Sequence, residues 1–302
     1  MAVKYEIKEY LNFGRCVCID NGKMEMYVTI DVGPRIIKLN LKGKENMMFT
    51  DTERLSSNDC NALKDMFGQD KAWYIYGGHR FWVSPESLPE TYYPDNDPVD
   101  YKIDGNVFTF TAPVQIYTKW QEIIEITVDE DNAAAKVRHI LKNCADKEQT
   151  GSIWAMSVTA AGSKAVIAQA SEDTGLLANR TLMLWPYNHM TDKRFYMDDK
   201  YISLSQDTNA STAFKFGSNN TNGVHLCVNN ETVFKKFSKY VEGANYPDNG
   251  CSTEIYTNHF MLEVESLSPL YTLKPGESCE HVENWELYEE NSTKLEDIVK
   301  YL

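Results

Sequence analysis

Alternation of apolar and polar residues dominates this sequence. Phe108 and Phe110 fall on one face of the segment at 107–111, as do Val137, His139 and Leu141 in the segment at 136–142. A period of two, bounded by Asp, Asn, Gly or Pro, is typical of half-buried antiparallel strands. Such segments recur from residue 4 to residue 288, separated by turn signals at 20–22, 104–106 and 274–277. The pattern therefore predicts an all-β sandwich, and because no Pro/Ser-rich linker interrupts it, we expect a single domain over residues 1–302.

Two segments depart from this period and predict short helices outside the sandwich. The first, near residues 55–67, carries Leu55, Leu63, Met66 and Phe67 and ends at Gly68. The second is the C-terminal segment, where Thr293 and Glu296 have the spacing of a capping box. The segment has an apolar stripe, which consists of Leu295, Ile298, Val299 and Leu302. This stripe predicts a helix that packs on the outside of the sandwich.

Charge and composition exclude several classes of partner. The chain has 302 residues, of which 44 are acidic and 30 are basic, so its formal net charge is −14. Nucleic acids and anionic lipids require a basic surface, and neither is expected here. No apolar run approaches the ~18 residues of a membrane span. Residues 1–10 lack the apolar core of a signal peptide, so we expect a cytoplasmic protein.

The seven cysteines form no CxxC pair and have no metal-ligand spacing with histidine. We expect free thiols, with Cys16 and Cys18 packed on one face of a strand. Phosphate-binding glycine motifs and the GxSxG nucleophile motif are absent from the sequence. Accordingly no metal and no cofactor are predicted.

Candidate chemistry is concentrated first in YGGHRFWVSPE at residues 76–86. Gly77 and Gly78 allow a sharp turn, and they precede a titratable group, a fixed cation and an aromatic ring, which are His79, Arg80 and Trp82. This combination suits the binding of a polar ring compound. The alternative is that Arg80 pairs with Glu86 and that His79 is a structural histidine.

A second candidate is HFMLEVESL at residues 259–267. Strand alternation places Glu263 and Glu265 on one face, roughly 7 Å apart. If that face lines a cleft, one carboxylate raises the pKa of the other and makes it a proton acceptor near neutral pH. The alternative is a solvated polar face.

Three stretches resemble the galactose mutarotase-like superfamily. They are the hairpin VGPRIIKLNLKGKENMMF at 32–49, the C-terminal strands at 259–287, and the motif Gly-Gly-His-Arg-x-Trp-x-x-Pro-Glu at 77–86, which resembles an uncharacterised bacterial branch. The resemblance implies a β-supersandwich with a few short peripheral helices, whose broad sheet binds a small-molecule sugar. It further implies aldose 1-epimerase-like chemistry, in which a glutamate acts as base and a histidine as acid, with no metal.

Carried onto this sequence, the resemblance makes Glu263 the base, with Glu265 in reserve, and His79 the acid. Arg80 would hold the sugar and Trp82 would stack on it. Three further residues would bind substrate, and these are Trp185, His189 and Asp248. For Asp248, the alternative is a role in capping a turn. His139 lies on an apolar face and is expected in the core.

One stretch departs from the mutarotase pattern. Residues 153–163 contain no histidine, and before Ala160 only Ser157 and Thr159 offer hydrogen-bonding side chains. Two hypotheses follow, an aldose epimerase-like isomerase and a non-catalytic saccharide-binding β-sandwich, and a purely structural sandwich is a third. A glycosidase is disfavoured because two glutamates on one strand are poorly placed to flank a glycosidic bond. Neither the sugar nor the oligomeric state follows from the sequence.

Overall fold

The computed structural model describes residues 3–69 and 71–302, and antiparallel strands dominate it. The strands are β1 (Lys4–Glu9), β2 (Arg15–Asp20), β3 (Met24–Thr29), β4 (Ile36–Leu41), β5 (Ser57–Asn58), β6 (Trp73–Tyr74), β7 (Gly78–Ser84), β8 (Asp100–Asp104), β9 (Val107–Thr111), β10 (Trp120–Val128), β11 (Ala134–Asn143), β12 (Gln149–Thr159), β13 (Lys164–Ala168), β14 (Leu182–Leu184), β15 (Phe195–Met197), β16 (Tyr201–Ser205), β17 (Phe214–Ser218), β18 (Val224–Asn229), β19 (Thr232–Ser238), β20 (Thr253–Thr257), β21 (Leu262–Leu267), β22 (Tyr271–Leu273) and β23 (Ser278–Glu289). The helices are α1 (Asn61–Phe67), α2 (Pro247–Gly250) and α3 (Leu295–Ile298), with 3₁₀ turns at Glu90–Tyr92 and Val299–Tyr301.

Two large sheets form the sandwich. The first has the order β1-β2-β3-β4-β7-β12-β21-β20-β17-β14, with β22 paired to β12 at one side. The second has the order β15-β16-β13-β18-β19-β23-β11-β10-β9-β8, and β5 and β6 form a separate small hairpin. The prediction of an all-β sandwich with short peripheral helices is confirmed. In the described part of the chain, no helix is long and apolar enough to cross a membrane.

The core lies between the two sheets and follows the predicted alternation. Phe108, Phe110 and Val137 of the second sheet share one buried cluster with Ala155 and Val264 of the first. Because consecutive strand residues point to opposite faces, the residues between these core positions point outward. In the centre of the first sheet, those outward positions carry the candidate site.

Both peripheral helices form, although their boundaries differ from the prediction. The first is limited to Asn61–Phe67. The C-terminal stripe packs on the outer face of the second sheet, against Val166 and Leu226. The capping-box prediction is wrong, because the helix begins after Lys294 and has no side-chain cap. Instead, the hydroxyl of Ser292 accepts the Lys294 N–H at 3.2 Å.

The predicted packing of the cysteines is confirmed. All seven are free, and Cys16 and Cys18 are buried on one face of β2.

The glycine pair of the first motif is needed for close packing. Gly77 has a φ of 98°, and a Cβ built there would lie 2.0 Å from the carbonyl oxygen of Phe49. Gly78 has a φ of 72° and approaches the carbonyl oxygen of Ile36 in the same way, at 2.5 Å. The pair thus lets the chain enter β7 between two neighbouring segments of backbone.

We expect Gly77→Ala to lower the free energy of unfolding by about 2 kcal/mol or more, because it combines a left-handed φ with a backbone clash. Gly43→Ala is the matched control, since Gly43 also has a positive φ, 81°, but nothing lies within 4 Å of its Cβ position. The loss of unfolding free energy in Gly43→Ala therefore measures the cost of the left-handed backbone conformation alone, ~1 kcal/mol. Urea unfolding of both variants measures the difference, and equal losses would show that the predicted close contact is not felt.

Candidate functional site

A pocket of about 480 Å³ opens on the outer face of the first sheet. Strand register explains its composition, since Trp82 lies opposite Trp154, and Tyr256 lies opposite Glu263 on the neighbouring strands. Aromatic residues make up much of the lining, which consists of Ser56, Trp73, Ile75, Trp82, Glu86, Tyr92, Trp154, Met156, Trp185, Tyr187, Ala213, Lys215, Tyr256, Asn258, Met261 and Glu263. Its volume falls within the range of small-molecule sites.

The carboxyl group of Glu263 is the outstanding polar feature of this pocket. Glu263 lies on β21 and lines the cavity. It makes no hydrogen bond or ion pair with any residue that the structure describes, although the charges of Lys215 and Arg80 act on it and favour its ionised form. Burial, followed by the negative charge of Glu265, raises the pKa of Glu263 from 4.5 to about 8. The group can therefore exchange a proton near neutral pH.

Glu265 shares the face of Glu263, as predicted, but lies beneath the pocket with 0% exposure. Its carboxylate accepts a hydrogen bond from the Trp154 indole at 2.6 Å and pairs with Lys215 at 3.2 Å. The same ammonium lies 2.6 Å from Glu254. Burial opposes the charged form of Lys215, but the charges of Glu265 and Glu254 outweigh it and hold the Lys215 pKa well above its usual value. Glu265 is thus committed to an internal cluster.

Arg80 also lies on the outer face but does not line the pocket. Its guanidinium carbon lies 4.4 Å from the ring centre of Trp82 and 5.0 Å from that of Trp73, and the residue is 3% exposed. Burial, together with the charge of Arg35, lowers the Arg80 pKa to about 10. Within the described residues it forms no ion pair with Glu86. Arg80 therefore supports the tryptophans from below, whereas Trp82 itself faces the cavity.

The prediction that His79 faces the sugar is wrong. Its ring is 0% exposed and lies between the sheets, where Nδ1 is 2.8 Å from the Ser157 hydroxyl and Nε2 is 2.7 Å from Nε2 of His139. Burial holds the His79 pKa well below its usual value. His79 and Arg80 are consecutive residues of one strand, so they cannot both point to the same face. His139 is buried, as predicted.

Of the other three predicted binding residues, one lines the pocket and two lie outside it. Trp185 lines the pocket, and the centre of its ring lies 4.7 Å from the Lys215 ammonium. His189 is exposed and lies outside the lining, so its predicted place in a second wall is wrong. Asp248 also lies outside the lining, in the turn at Pro247–Gly250 with a φ of 48°. The turn role given as its alternative fits this position.

Sequence reasoning missed Lys215 and Tyr256, although each has a recognisable pattern. Lys215 is a lone charge between Phe214 and Phe216, which are buried in the core. In β20, Tyr256 follows Glu254 with the same period of two that identified Glu263 and Glu265. Their meeting depends on strand pairing across the sheet, which the sequence alone does not specify.

A cluster of ionisable groups fills the space between the sheets behind this site. His79, His139 and Glu283 place ligand atoms within 4.8 Å of one another. However, Glu283 is already neutralised by Lys236 at 2.8 Å, and the Trp285 indole donates to its other oxygen at 2.8 Å. A divalent cation would add two uncompensated charges to a buried core, which is strongly unfavourable. The arrangement fits a hydrogen-bonded network better than a metal centre.

The raised pKa of Glu263 leads to a prediction on stability. A folded-state pKa of about 8, above the ordinary 4.5, means that ionisation costs stability. The cost is complete above pH 8, shrinks as the pH falls below 8, and disappears only below the ordinary pKa of 4.5. We expect Glu263→Gln to gain stability relative to the wild type as the pH rises from 5 to 8, by ~1.4 kcal/mol for each pH unit, and to gain little more above pH 8. Thermal unfolding across this range measures the gain. The exposed Glu148→Gln is the control, and a pH-independent difference for Glu263→Gln would contradict the raised pKa.

No family model matches the sequence, and no curated protein matches it. Solved structures do resemble the fold. A galactose mutarotase-like protein from Lactobacillus casei has a TM-score of 0.58 at 10% identity, covering 90% of this chain and 100% of that chain. Another galactose mutarotase-like protein, from Clostridium acetobutylicum, has a TM-score of 0.55 at 10% identity, covering 95% and 99%.

A TPR-domain containing protein from Parabacteroides distasonis has a TM-score of 0.62 at 12% identity. The match covers 93% of this chain and 48% of that longer protein, so this chain spans about half of its length. At these identities the likeness concerns the fold. The chain has the galactose mutarotase-like β-sandwich that its sequence predicts.

Proposed function

We propose that the pocket binds a free aldose and that Glu263 exchanges the proton of its anomeric hydroxyl, as in an aldose 1-epimerase. The observation that carries this proposal is the unpartnered carboxyl group of Glu263 within an aromatic pocket. Sugar rings present flat C–H faces that pack on aromatic side chains. The tryptophans of the lining supply such surfaces, and Glu263 supplies a group that distinguishes a hydroxyl from a C–H.

Glu263 accepts the anomeric proton as the C1–O5 bond breaks, and the ring oxygen takes up a proton from a second group. Tyr256 is the best placed donor, because it is the register partner of Glu263 on β20 and such pairs have Cβ atoms about 5 Å apart. Burial, followed by the charge of Glu263, raises the Tyr256 pKa, so the phenol keeps its proton at neutral pH. Rotation about C1–C2 and closure with the reverse proton transfers give the other anomer.

A second candidate is a non-catalytic saccharide-binding protein. No histidine of the described residues lines the pocket, and a phenol with a raised pKa is a weaker acid than a protonated imidazole. The same aromatic walls and the same carboxyl group would then recognise a sugar without turnover.

Anomeric exchange followed by NMR separates these candidates. We expect the wild-type protein to accelerate exchange for at least one free aldose, and sugar binding to change the tryptophan fluorescence, because several tryptophans line the pocket. Fluorescence change without acceleration would favour the binding protein. Neither response with any aldose would refute the proposal.

A further inference from the structure

We propose that the sugar is a basic one, a 2-amino-2-deoxy aldose whose ammonium group pairs with Glu263 and packs against the aromatic walls. This inference rests on the proposed function and specifies its substrate class. It follows from the charges that face the pocket, from the hydrogen bonds that those charges already make, and from the chemistry of neighbouring sugar carbons.

The charges that line the pocket are Glu86, Glu263 and Lys215. Lys215 is already engaged by two carboxylates, Glu254 at 2.6 Å and Glu265 at 3.2 Å. Arg80, the other nearby cation, lies beneath the tryptophans and outside the lining. Nε and Nη1 of Arg80 have no hydrogen-bond partner in the described part of the chain, and the Arg80 charge acts on Glu263 from behind the lining. Among the lining residues that the structure describes, Lys215 is the one cation, and its two carboxylate partners already compensate it, so the lining itself favours a basic sugar over an acidic one.

The two lining carboxyl groups differ in their partners. Glu86 is exposed and accepts a hydrogen bond from the Tyr92 hydroxyl at 2.6 Å. Glu263 is less exposed and has no partner among the described residues. Ionising a carboxyl group that has no partner and is partly withdrawn from water is costly, and a ligand that brings both a positive charge and N–H donors offsets that cost. An ammonium group provides both.

The aromatic walls favour the same ligand. The ammonium of Lys215 lies 4.4 Å from the ring centre of Trp154 and 4.7 Å from that of Trp185, so rings of this pocket already attract a cation. Aromatic faces stabilise ammonium groups, particularly where water is excluded. The remaining aromatic lining, including Tyr92 and Tyr187, extends this environment around the cavity, whereas Trp73 already faces the Arg80 guanidinium at 5.0 Å.

The position of the amino group follows from the proposed reaction. In a 2-amino-2-deoxy aldose, the C2 ammonium and the C1 hydroxyl are neighbours, so one carboxylate can contact both with its two oxygens. Because the pKa of Glu263 is about 8, the carboxyl group is largely protonated at pH 7. Pairing with the ammonium stabilises the ionised form, so binding releases a proton and leaves Glu263 in the form that acts as a base.

Calorimetric titration at pH 7 in two buffers of different ionisation enthalpy tests this inference. The probes are glucosamine and galactosamine, their parent hexoses, their N-acetyl derivatives, their uronic acids, and 6-amino-6-deoxyglucose. We expect the 2-amino sugars to bind at least tenfold more tightly than the parent hexoses, with proton release. The N-acetyl and 6-amino sugars should lose this advantage.

In Glu263→Gln, the tenfold preference and the proton release should both disappear while hexose binding remains, and the exposed Glu148→Gln should behave as the wild type. Equal binding of hexoses and 2-amino sugars, or tighter binding of uronic acids, would overturn this inference and leave the proposed function intact. Failure of every sugar to bind would overturn both. Preference that persists in Glu263→Gln would overturn the role of this carboxyl group.

Discussion

Glu263→Gln should reduce catalysed anomeric exchange by at least ~100-fold, the usual contribution of a general base, while hexose affinity changes little. Glutamine keeps the size of the side chain and its hydrogen-bonding capacity but cannot accept the anomeric proton. Because Glu263 must be ionised to act as a base, wild-type exchange should rise with pH toward its pKa of about 8. NMR exchange rates at several pH values measure both effects.

Two further variants sharpen this test. Glu86→Gln changes a lining carboxyl group at an exposed position and should retain most of the exchange rate, because Glu86 is not the proposed base. Tyr256→Phe removes the proposed proton donor and should lower exchange without altering hexose affinity. Undiminished exchange in Glu263→Gln would show that another group takes the anomeric proton. A loss confined to affinity would instead support the non-catalytic saccharide-binding protein.

The sequence predicted most of the fold because strand alternation is a local property. Burial of Phe108, Phe110 and Val137 is encoded by period-two patterns, and the structure places these residues between the sheets. The same local rule placed Glu263 and Glu265 together on the outer face. Their different environments could not be predicted, since the burial of Glu265 depends on Lys215, fifty positions earlier in the chain.

The error at His79 has a different origin. The residue types of the motif at 77–86 suit a single sugar-binding surface, yet strand alternation separates His79 from both Arg80 and Trp82. The resemblance to mutarotases supplied a histidine role that this strand cannot fulfil. Lys215 and Tyr256 were missed because they come from strands far apart in sequence, and only the pairing of β17, β20 and β21 brings them to the pocket.

The two faces of the first sheet therefore border two separate sets of ionisable groups. On the outer face, Glu263 is accessible and lacks a partner, which suits exchange with a ligand. At the inner face, Lys236 of the second sheet donates to Glu283 at 2.8 Å, to the Val264 carbonyl at 2.9 Å and to Ser157 at 3.2 Å. These inner groups are completely enclosed, so their contribution must be to stability.

Lys236→Met should lower the free energy of unfolding by about 3–5 kcal/mol, because it leaves the carboxylate of Glu283 buried without its cation. Adding Glu283→Gln should recover part of this loss, since the uncompensated charge is then removed. Urea unfolding of the single and double variants measures the coupling. Additive losses would show that the two groups act independently and that the ion pair does not stabilise the inter-sheet core.

The pH dependence of Lys236→Met identifies the group that replaces the lysine. In the wild type, burial chiefly lowers the pKa of His79, the charge of Glu283 raises it, and the charges of His139 and Lys236 lower it further. Removing Lys236 raises the His79 pKa, so the folded variant takes up a proton at a higher pH than the wild type and thereby neutralises Glu283. The stability deficit of Lys236→Met should therefore shrink as the pH falls from 8 to 5. A constant deficit would mean that His79 cannot serve as the substitute cation.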